Sequence, residues 1–141
     1  MLHIEQIRPE LTWRLRRDAL YPGKDIFEME MDEDSEGVHF GAFKENKIVG
    51  VVSLFQKGND FQFRKLAVDL SQQKTGIGSS MLEYISGYAA ENGGTRLWCN
   101  ARITATDFYL RSGFAQTGRF FVKGGIDYEI MEKAITPAPD R

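Results

Sequence analysis

Between residues 61 and 89 an apolar strand gives way to an amphipathic helix through a short loop, Gln73-Lys74-Thr75-Gly76-Ile77-Gly78-Ser79-Ser80. This stretch constrains the chain more than any other. Phe61, Phe63, Leu66, Ala67 and Val68 have the alternating or continuous apolar character of a strand, whereas Ile77, Met81, Leu82, Ile85, Tyr88 and Ala89 recur at helical spacing and mark one buried face. The loop therefore opens a helix. There the first backbone N–H groups lack intrahelical acceptors and the helix dipole presents partial positive charge, a combination that attracts a phosphate or pyrophosphate. Gly76 and Gly78 leave the backbone open to such an anion, and Lys74 adds a point charge at the rim. Two better-known glycine motifs do not fit: a P-loop requires the lysine after the glycines, and a dinucleotide fingerprint requires a third glycine where Met81 stands. What remains, Gln-x-x-Gly-x-Gly, is by itself either an anion cradle or a helix start with two turn glycines.

Length and charge narrow the classes. With 141 residues, 42% hydrophobic and 27% charged, the chain has the size of one domain with a proper core. A net charge of −2 argues against a nucleic-acid partner bound by phosphate neutralisation. No apolar run is long enough to span a bilayer, and the first residues lack the apolar core of a signal peptide, so the expectation is a cytoplasmic protein with no membrane partner. Cys99 stands alone and excludes an internal disulfide; with only His3 and His39 beside it, no metal site is expected.

Leu2, Ile4 and Ile7 suggest a first strand, and Pro9 can begin a helix running to Leu20, with Leu11, Leu15 and Ala19 as its apolar row and Arg14, Arg16 and Arg17 either on a solvated face or, for one of them, toward a cofactor phosphate or an acidic acceptor. Tyr21-Pro22-Gly23 stops it. Asp25, Glu28, Glu30, Asp32, Glu33, Asp34 and Glu36 follow without an intervening base; they form either a solvated acidic side or a device that concentrates a cationic amine. Val38, Phe40 and Ala42, a turn at Glu45-Asn46-Lys47, and Ile48 to Leu54 read as a hairpin, and Lys57-Gly58-Asn59-Asp60 turns into the strand that feeds the loop. Asn92-Gly93-Gly94 ends the following helix, Arg96 to Ala101 forms an interior strand, Thr104 to Ser112 a short helix capped by Gly113, and Phe114 to Val122 with Ile126 to Lys133 a closing hairpin. Residues 1–135 are expected to be the single domain and 136–141 a flexible tail.

The order strand, helix, acidic region, three strands, glycine loop, helix, strand, helix, two strands resembles the GNAT superfamily of N-acyltransferases over nearly the whole chain. The resemblance is carried by Leu66-Ala67-Val68 followed by Gln73-x-x-Gly76-x-Gly78, then Asn100-Ala101-Arg102, then Phe108-Tyr109-Leu110-Arg111-Ser112-Gly113-Phe114, similar to the family's Phe-Tyr-x-x-x-Gly-Phe signature. It implies an α+β (α/β three-layer) fold: a mixed, mostly antiparallel central sheet, helices on both faces, and a splayed strand pair that holds acyl-CoA. It also implies that Leu66, Ala67 and Val68 bond to the pantetheine arm, that Gln73, Lys74, Thr75, Gly76, Ile77, Gly78 and Ser79 hold the pyrophosphate, and that Tyr109 points at the cofactor sulfur. The chain departs from the family at Arg102, where many members place an asparagine seven residues before the tyrosine. Asn100 is then the candidate for a pantetheine contact. Tyr128 stands where a small bacterial branch often carries histidine.

These expectations amount to an N-acetyltransferase that uses acetyl-CoA as cosubstrate and acetylates a small-molecule amine or a protein amino group, with Tyr109 as general acid. A phenol, with a reference pKa near ~10, stays protonated where a departing thiolate, near ~8.5, needs a proton. Candidates for the base are His39, Glu30, Asp32, Asp127, Glu129 and a water chain. The alternative is a CoA-binding sensor or interaction module without turnover. Hydrophobic strands and the closing hairpin would support a homodimer.

Overall fold

Alternation of side chains dictates most of the sheet. In a computed structural model that describes residues 1–139, strands β1 (Leu2–Ile7), β2 (Val38–Lys44), β3 (Lys47–Lys57), β4 (Asp60–Val68), β5 (Arg96–Arg102), β6 (Ala115–Lys123) and β7 (Ile126–Ala134) form a seven-stranded sheet in the order β1-β2-β3-β4-β5-β7-β6. The β4–β5 pair is parallel, and the β1–β2, β2–β3, β5–β7 and β6–β7 pairs are antiparallel. The fold is α+β with a mostly antiparallel sheet. The chain divides into two compact units, Met1–Phe55 with Phe63–Ile85, and Gln56–Gln62 with the residues from Ser86 onward.

In the first unit, the two-residue period of β3 sets Gly50, Val52 and Leu54 on one face and Val49, Val51 and Ser53 on the other. Helix α2 (Ile77–Glu91) covers the first face. Phe40, the partner of Val52, meets the Tyr84 ring edge-on at 5.4 Å, and a Cβ added to Gly50 would lie 2.7 Å from Met81 Sδ and 3.1 Å from Ile77 Cγ2. Gly50 is thus where the helix presses on the strand. On the opposite face Leu15, Val51 and Ala67 form a buried cluster with Ile7, Ala19, Leu20 and Ile48. Helical segments therefore lie on both faces of this part of the sheet.

The segment from Pro9 to Leu20 is helical but not one regular helix. A 3-10 turn (Pro9–Thr12), a short α1 (Trp13–Leu15) and a π turn (Arg16–Leu20) succeed one another, so the 3.6-residue wheel does not apply along it. Burial falls on Thr12, Leu15 and Arg16, all nearly inaccessible, while Leu11 is 41% exposed. The expected apolar row fails at Leu11, and Arg16 is not on a solvated face. The acidic stretch forms two 3-10 turns, Ile26–Met29 and Asp32–Glu36.

In the second unit, β4 joins β5 through Asp60↔Arg96, Phe61↔Leu97 and Gln62↔Trp98, and β5 continues to Arg102. Leu97, Cys99 and Ala101 alternate inward and are buried, with Cys99 opposite Met131 of β7. Helix α3 (Thr106–Arg111) packs on β5 and β6. Beyond β7, Ile135 N–H bonds to the Thr95 carbonyl at 2.9 Å and Ala138 N–H to the Ala90 carbonyl at 2.9 Å. Asp140 and Arg141, part of the expected tail, lie outside the described residues.

Candidate active site

The glycine loop is tied to the strand before it. Asp69 N–H bonds to the Val49 carbonyl at 2.8 Å, and its carboxylate accepts from Ser71 N–H at 3.0 Å and Ser71 Oγ at 2.8 Å, capping the turn Leu70–Gln72. These bonds to Ser71, with the Arg14 charge, hold the Asp69 carboxyl below the usual carboxylate range against a small opposing effect of burial. Gln73 Nε2 donates to the Val68 carbonyl at 3.2 Å, and Thr75 Oγ1 donates to the Gln72 carbonyl, so loop and strand end form one piece. Gly76 sits at φ +90°, the left-handed region that favours glycine, and nothing lies within 4 Å of where a Cβ would be. Its carbonyl accepts the first α2 bond, from Ser80 N–H at 3.0 Å. The N–H groups of Ile77, Gly78 and Ser79 stand ahead of that bond, at the open end of a fifteen-residue helix.

Side chains in this region divide their work. Gln73, Lys74, Thr75, Gly76 and Ser79 are exposed and Gly78 is half-buried, whereas the Ile77 side chain is buried beneath Gly50 and leaves only its backbone to the loop. Ala67 is likewise fixed in the cluster with Leu15 and Val51, between half-buried Leu66 and Val68.

The second unit places Tyr109 by a purely local device. Phe114 N–H bonds to the Tyr109 carbonyl at 3.0 Å and Gly113 N–H to the Leu110 carbonyl at 3.2 Å, the paired bonds of a Schellman motif, with Gly113 at φ +91°. The accompanying apolar contact is the Phe114 ring against the Tyr109 ring at 5.8 Å, and Phe108 abuts Tyr109 on another side at 5.1 Å. Tyr-x-x-x-Gly-Phe is thus a helix terminator that also locks the tyrosine ring. Burial pushes the Tyr109 phenol well above its ordinary pKa, Cys99 adds to the rise, and Arg102 opposes it. Cys99 is buried, which raises its thiol to about 12. Asn100 is exposed on β5, opposite Ile130 of β7.

Of the candidate bases, His39 and Glu129 are engaged. Arg16, 0% exposed, donates from Nη1 and Nη2 to the two Asp34 carboxylate oxygens, from Nη1 to the Met29 carbonyl and from Nη2 to Ser53 Oγ, each at 2.9 Å. A carbonyl only accepts, so His39 Nε2–H donates to the Asp34 carbonyl at 2.8 Å, while Nδ1 shares a hydrogen bond with Ser53 Oγ at 2.7 Å. Both ring nitrogens are thereby committed. Glu129, also buried, accepts from Gln116 Nε2 at 2.8 Å and Gly118 N–H at 2.9 Å, filling the bulge where β6 shifts register on β7. Glu30, Asp32 and Asp127 are exposed.

Much of the acidic run also serves local structure. Asp25 and Glu28 form a capping box, Asp34 accepts from Met31 N–H at 3.0 Å, and Glu33 lies 3.6 Å from Arg64. Burial raises the Asp34 pKa, but the Arg16 hydrogen bonds, the Met31 N–H, the Arg16 charge and His39 outweigh it, and the carboxyl lies below its ordinary 3.8.

Sequence reasoning missed a cavity of about 420 Å³ in the first unit, lined by Tyr21, Lys24, Met29, Met31, Arg64 and Lys65 together with Arg16 and Glu28. Lys65 is in a strand yet has φ 56°, which no periodicity signals. Arg16 had a faint signal: Thr12 lies four residues before it and the acidic run offers it a partner.

Among the described residues, no helix is long and apolar enough to cross a membrane, and no group of three or more His, Cys, Asp or Glu residues is placed to hold a metal ion. Residues 18–135 match the family model of the acetyltransferase (GNAT) domain. YitI, an uncharacterized N-acetyltransferase of Bacillus subtilis strain 168, is 26% identical over 140 residues, spanning 93% of this chain and 94% of that protein. Among solved structures, the ribosomal-protein-S18-alanine N-acetyltransferase of Escherichia coli superposes with a TM-score of 0.78 at 18% identity, over 99% of this chain and 97% of that one. A GNAT family acetyltransferase of Elizabethkingia anophelis with acetyl-CoA bound gives 0.75 at 18% identity, over 95% and 98%. With these folds superposing over nearly the whole chain and the family match running across both compact units, the chain belongs to the GNAT family and is an N-acetyltransferase.

Proposed function

We propose that the chain moves an acetyl group from acetyl-CoA directly to a primary amine of a small molecule or a protein. The observation that carries this reading is the open start of α2: three consecutive N–H groups, two glycines and Lys74 at the end of a helix dipole form a pyrophosphate site. The absence of a Cβ at Gly76 leaves the room such a group needs. Leu66, Ala67 and Val68 offer backbone groups to the pantetheine arm, Gln73 through Ser79 hold the pyrophosphate, and Asn100 adds a polar contact to the arm. The acetyl-CoA bound by the Elizabethkingia neighbour supports this choice of donor.

Amide formation breaks the thioester C–S bond and forms C–N, which calls for a neutral amine, a polarised carbonyl and a proton for the departing thiolate. A backbone N–H of Leu66 to Val68 polarises the carbonyl. Tyr109 supplies the proton, since its raised pKa keeps the phenol protonated throughout the neutral range. With His39 and Glu129 committed, deprotonation of the amine falls to Glu30, Asp32, Asp127 or water.

Thiol release from acetyl-CoA across an amine panel tests the activity, and Tyr109→Phe tests the acid. The substitution is expected to lower kcat by roughly 10²-fold or more, the usual scale of general-acid catalysis, while acetyl-CoA affinity stays within about twofold. An unchanged kcat removes Tyr109 from the mechanism. Because the phenol is the acid and its pKa is shifted upward from 10.0, no alkaline fall in kcat belonging to Tyr109 is expected below pH 10.

A further inference from the structure

We infer that the cavity beside Arg64 and Lys65 is the acceptor pocket, and that it selects a small primary amine that also carries a carboxylate or phosphate. The inference rests on the acetyltransferase reading above and names the acceptor class for it. Position comes first. Arg64 and Lys65 immediately precede Leu66, where the acyl arm is placed, so the cavity adjoins the donor's own strand.

Backbone geometry gives the second argument. Consecutive residues of a regular strand point to opposite faces, yet Arg64 and Lys65 line the same cavity. Lys65 does so at φ 56°, a conformation that disfavours an L side chain. The other non-glycine residues at positive φ, Glu45, Asn46 and Lys74, lie in a turn or loop, whereas Lys65 lies within β4. Strain held inside a strand at a cavity wall marks a place where two cations are turned toward one space.

Charge gives the third. Arg16 is neutralised by Asp34, and Arg64 is partly neutralised by Glu33 at 3.6 Å. Glu28, the acid in the lining, accepts from Asp25 N–H at 3.2 Å and keeps its charge. With Glu28, Asp34 and Glu33 counted against Arg16, Lys24, Arg64 and Lys65, the cavity and its partners keep a positive balance of one charge. Among the described residues no ion pair engages either lysine; the Lys65 ammonium donates to the Tyr21 hydroxyl and lies 4.5 Å over its ring. An ammonium that donates to a hydroxyl keeps further donors for an anion. Met29 and Met31 supply an apolar wall, and about 420 Å³ suits a small molecule. The pocket thus repels a simple cationic amine and pairs with an acceptor that brings its own anion.

Matched pairs test this: L-methionine against L-methioninamide, and phosphoethanolamine against ethanolamine, the first for a carboxylate and the second for a phosphate. Thiol release is expected to favour the anionic member of at least one pair by tenfold or more in kcat/KM. The bias runs against intrinsic reactivity in the first pair, because an amine beside an amide is less protonated at neutral pH than one beside a carboxylate. Lys65→Gln and Lys24→Gln should each reduce that preference severalfold, with the KM for acetyl-CoA within about twofold. Binding of N-acetyl-L-methionine against its methylamide, measured calorimetrically with CoA present, gives a readout independent of turnover and should show the same order, lost in Lys65→Gln. Equal binding and equal turnover within both pairs would overturn the anionic acceptor and leave the acetyltransferase standing. Selective binding with no thiol release from any amine would keep the anion pocket and overturn the acetyl-transfer reading instead.

Discussion

Asp34→Ala puts the buried network to its hardest test. The wild-type carboxylate receives three donors, Arg16 Nη1, Arg16 Nη2 and Met31 N–H, and is only 6% exposed. Alanine leaves the Arg16 cation, fully inaccessible, without its counter-charge, and Arg16 Nε has no partner to begin with. Removing one member of a buried pair costs about 3–5 kcal/mol, a fifth or more of the roughly 5–15 kcal/mol that holds a domain folded. At roughly 3 °C per kcal/mol for a chain of this length, the midpoint should fall by about 10–15 °C. Urea and thermal unfolding followed by circular dichroism measure it. Arg16→Met combined with Asp34→Leu should lose less than the single variant, since no charge is then stranded, although the Met29 carbonyl and Met31 N–H go unpaired. A single variant costing under about 1 kcal/mol, or a double variant no better than the single, would refute the pairing argument.

The same carboxyl carries a pH signature with a fixed sign. Its folded pKa lies below 3.8, so its contribution to stability is fully present above that value and is lost as pH falls through the folded pKa. The gap between wild type and Asp34→Ala should therefore be flat above pH 3.8 and close only below it.

Gly113→Ala forces an L side chain to φ +91°, at a cost of about 1–2 kcal/mol, and should lower kcat along with the midpoint, because the same turn locks Tyr109; an unchanged kcat would separate the two. Cys99, with its thiol raised to about 12, should react with a disulfide reagent at pH 8 only when urea unfolds the chain. Rapid labelling of the native protein would contradict its burial.

The glycine loop and the segments that flank it were legible because their devices are local. A strand, a glycine loop and a helix start lie within about thirty residues, and periodicity alone places them. The Tyr109 signature is shorter still: helix, Gly113 at positive φ and Phe114 against the ring are one terminating motif, written in adjacent letters. The cavity beside Arg64 and Lys65 is assembled from segments far apart in the chain, and each fails a local rule. Arg16 is buried although it stands in a basic row, because the 3-10 and π turns around it change which residues share a face. Most of the acidic run that suggested attraction of a cationic amine is occupied by caps and arginines. Arg64 and Lys65 belong on opposite faces by alternation, and a single non-glycine residue at positive φ puts both in one cavity. A donor bound through backbone groups can be shared across a family whose side chains diverge, whereas an acceptor bound through side chains cannot. The proposed acceptor pocket therefore lies in the irregular segments, where a periodic reading is weakest and where Lys65→Gln should have its effect.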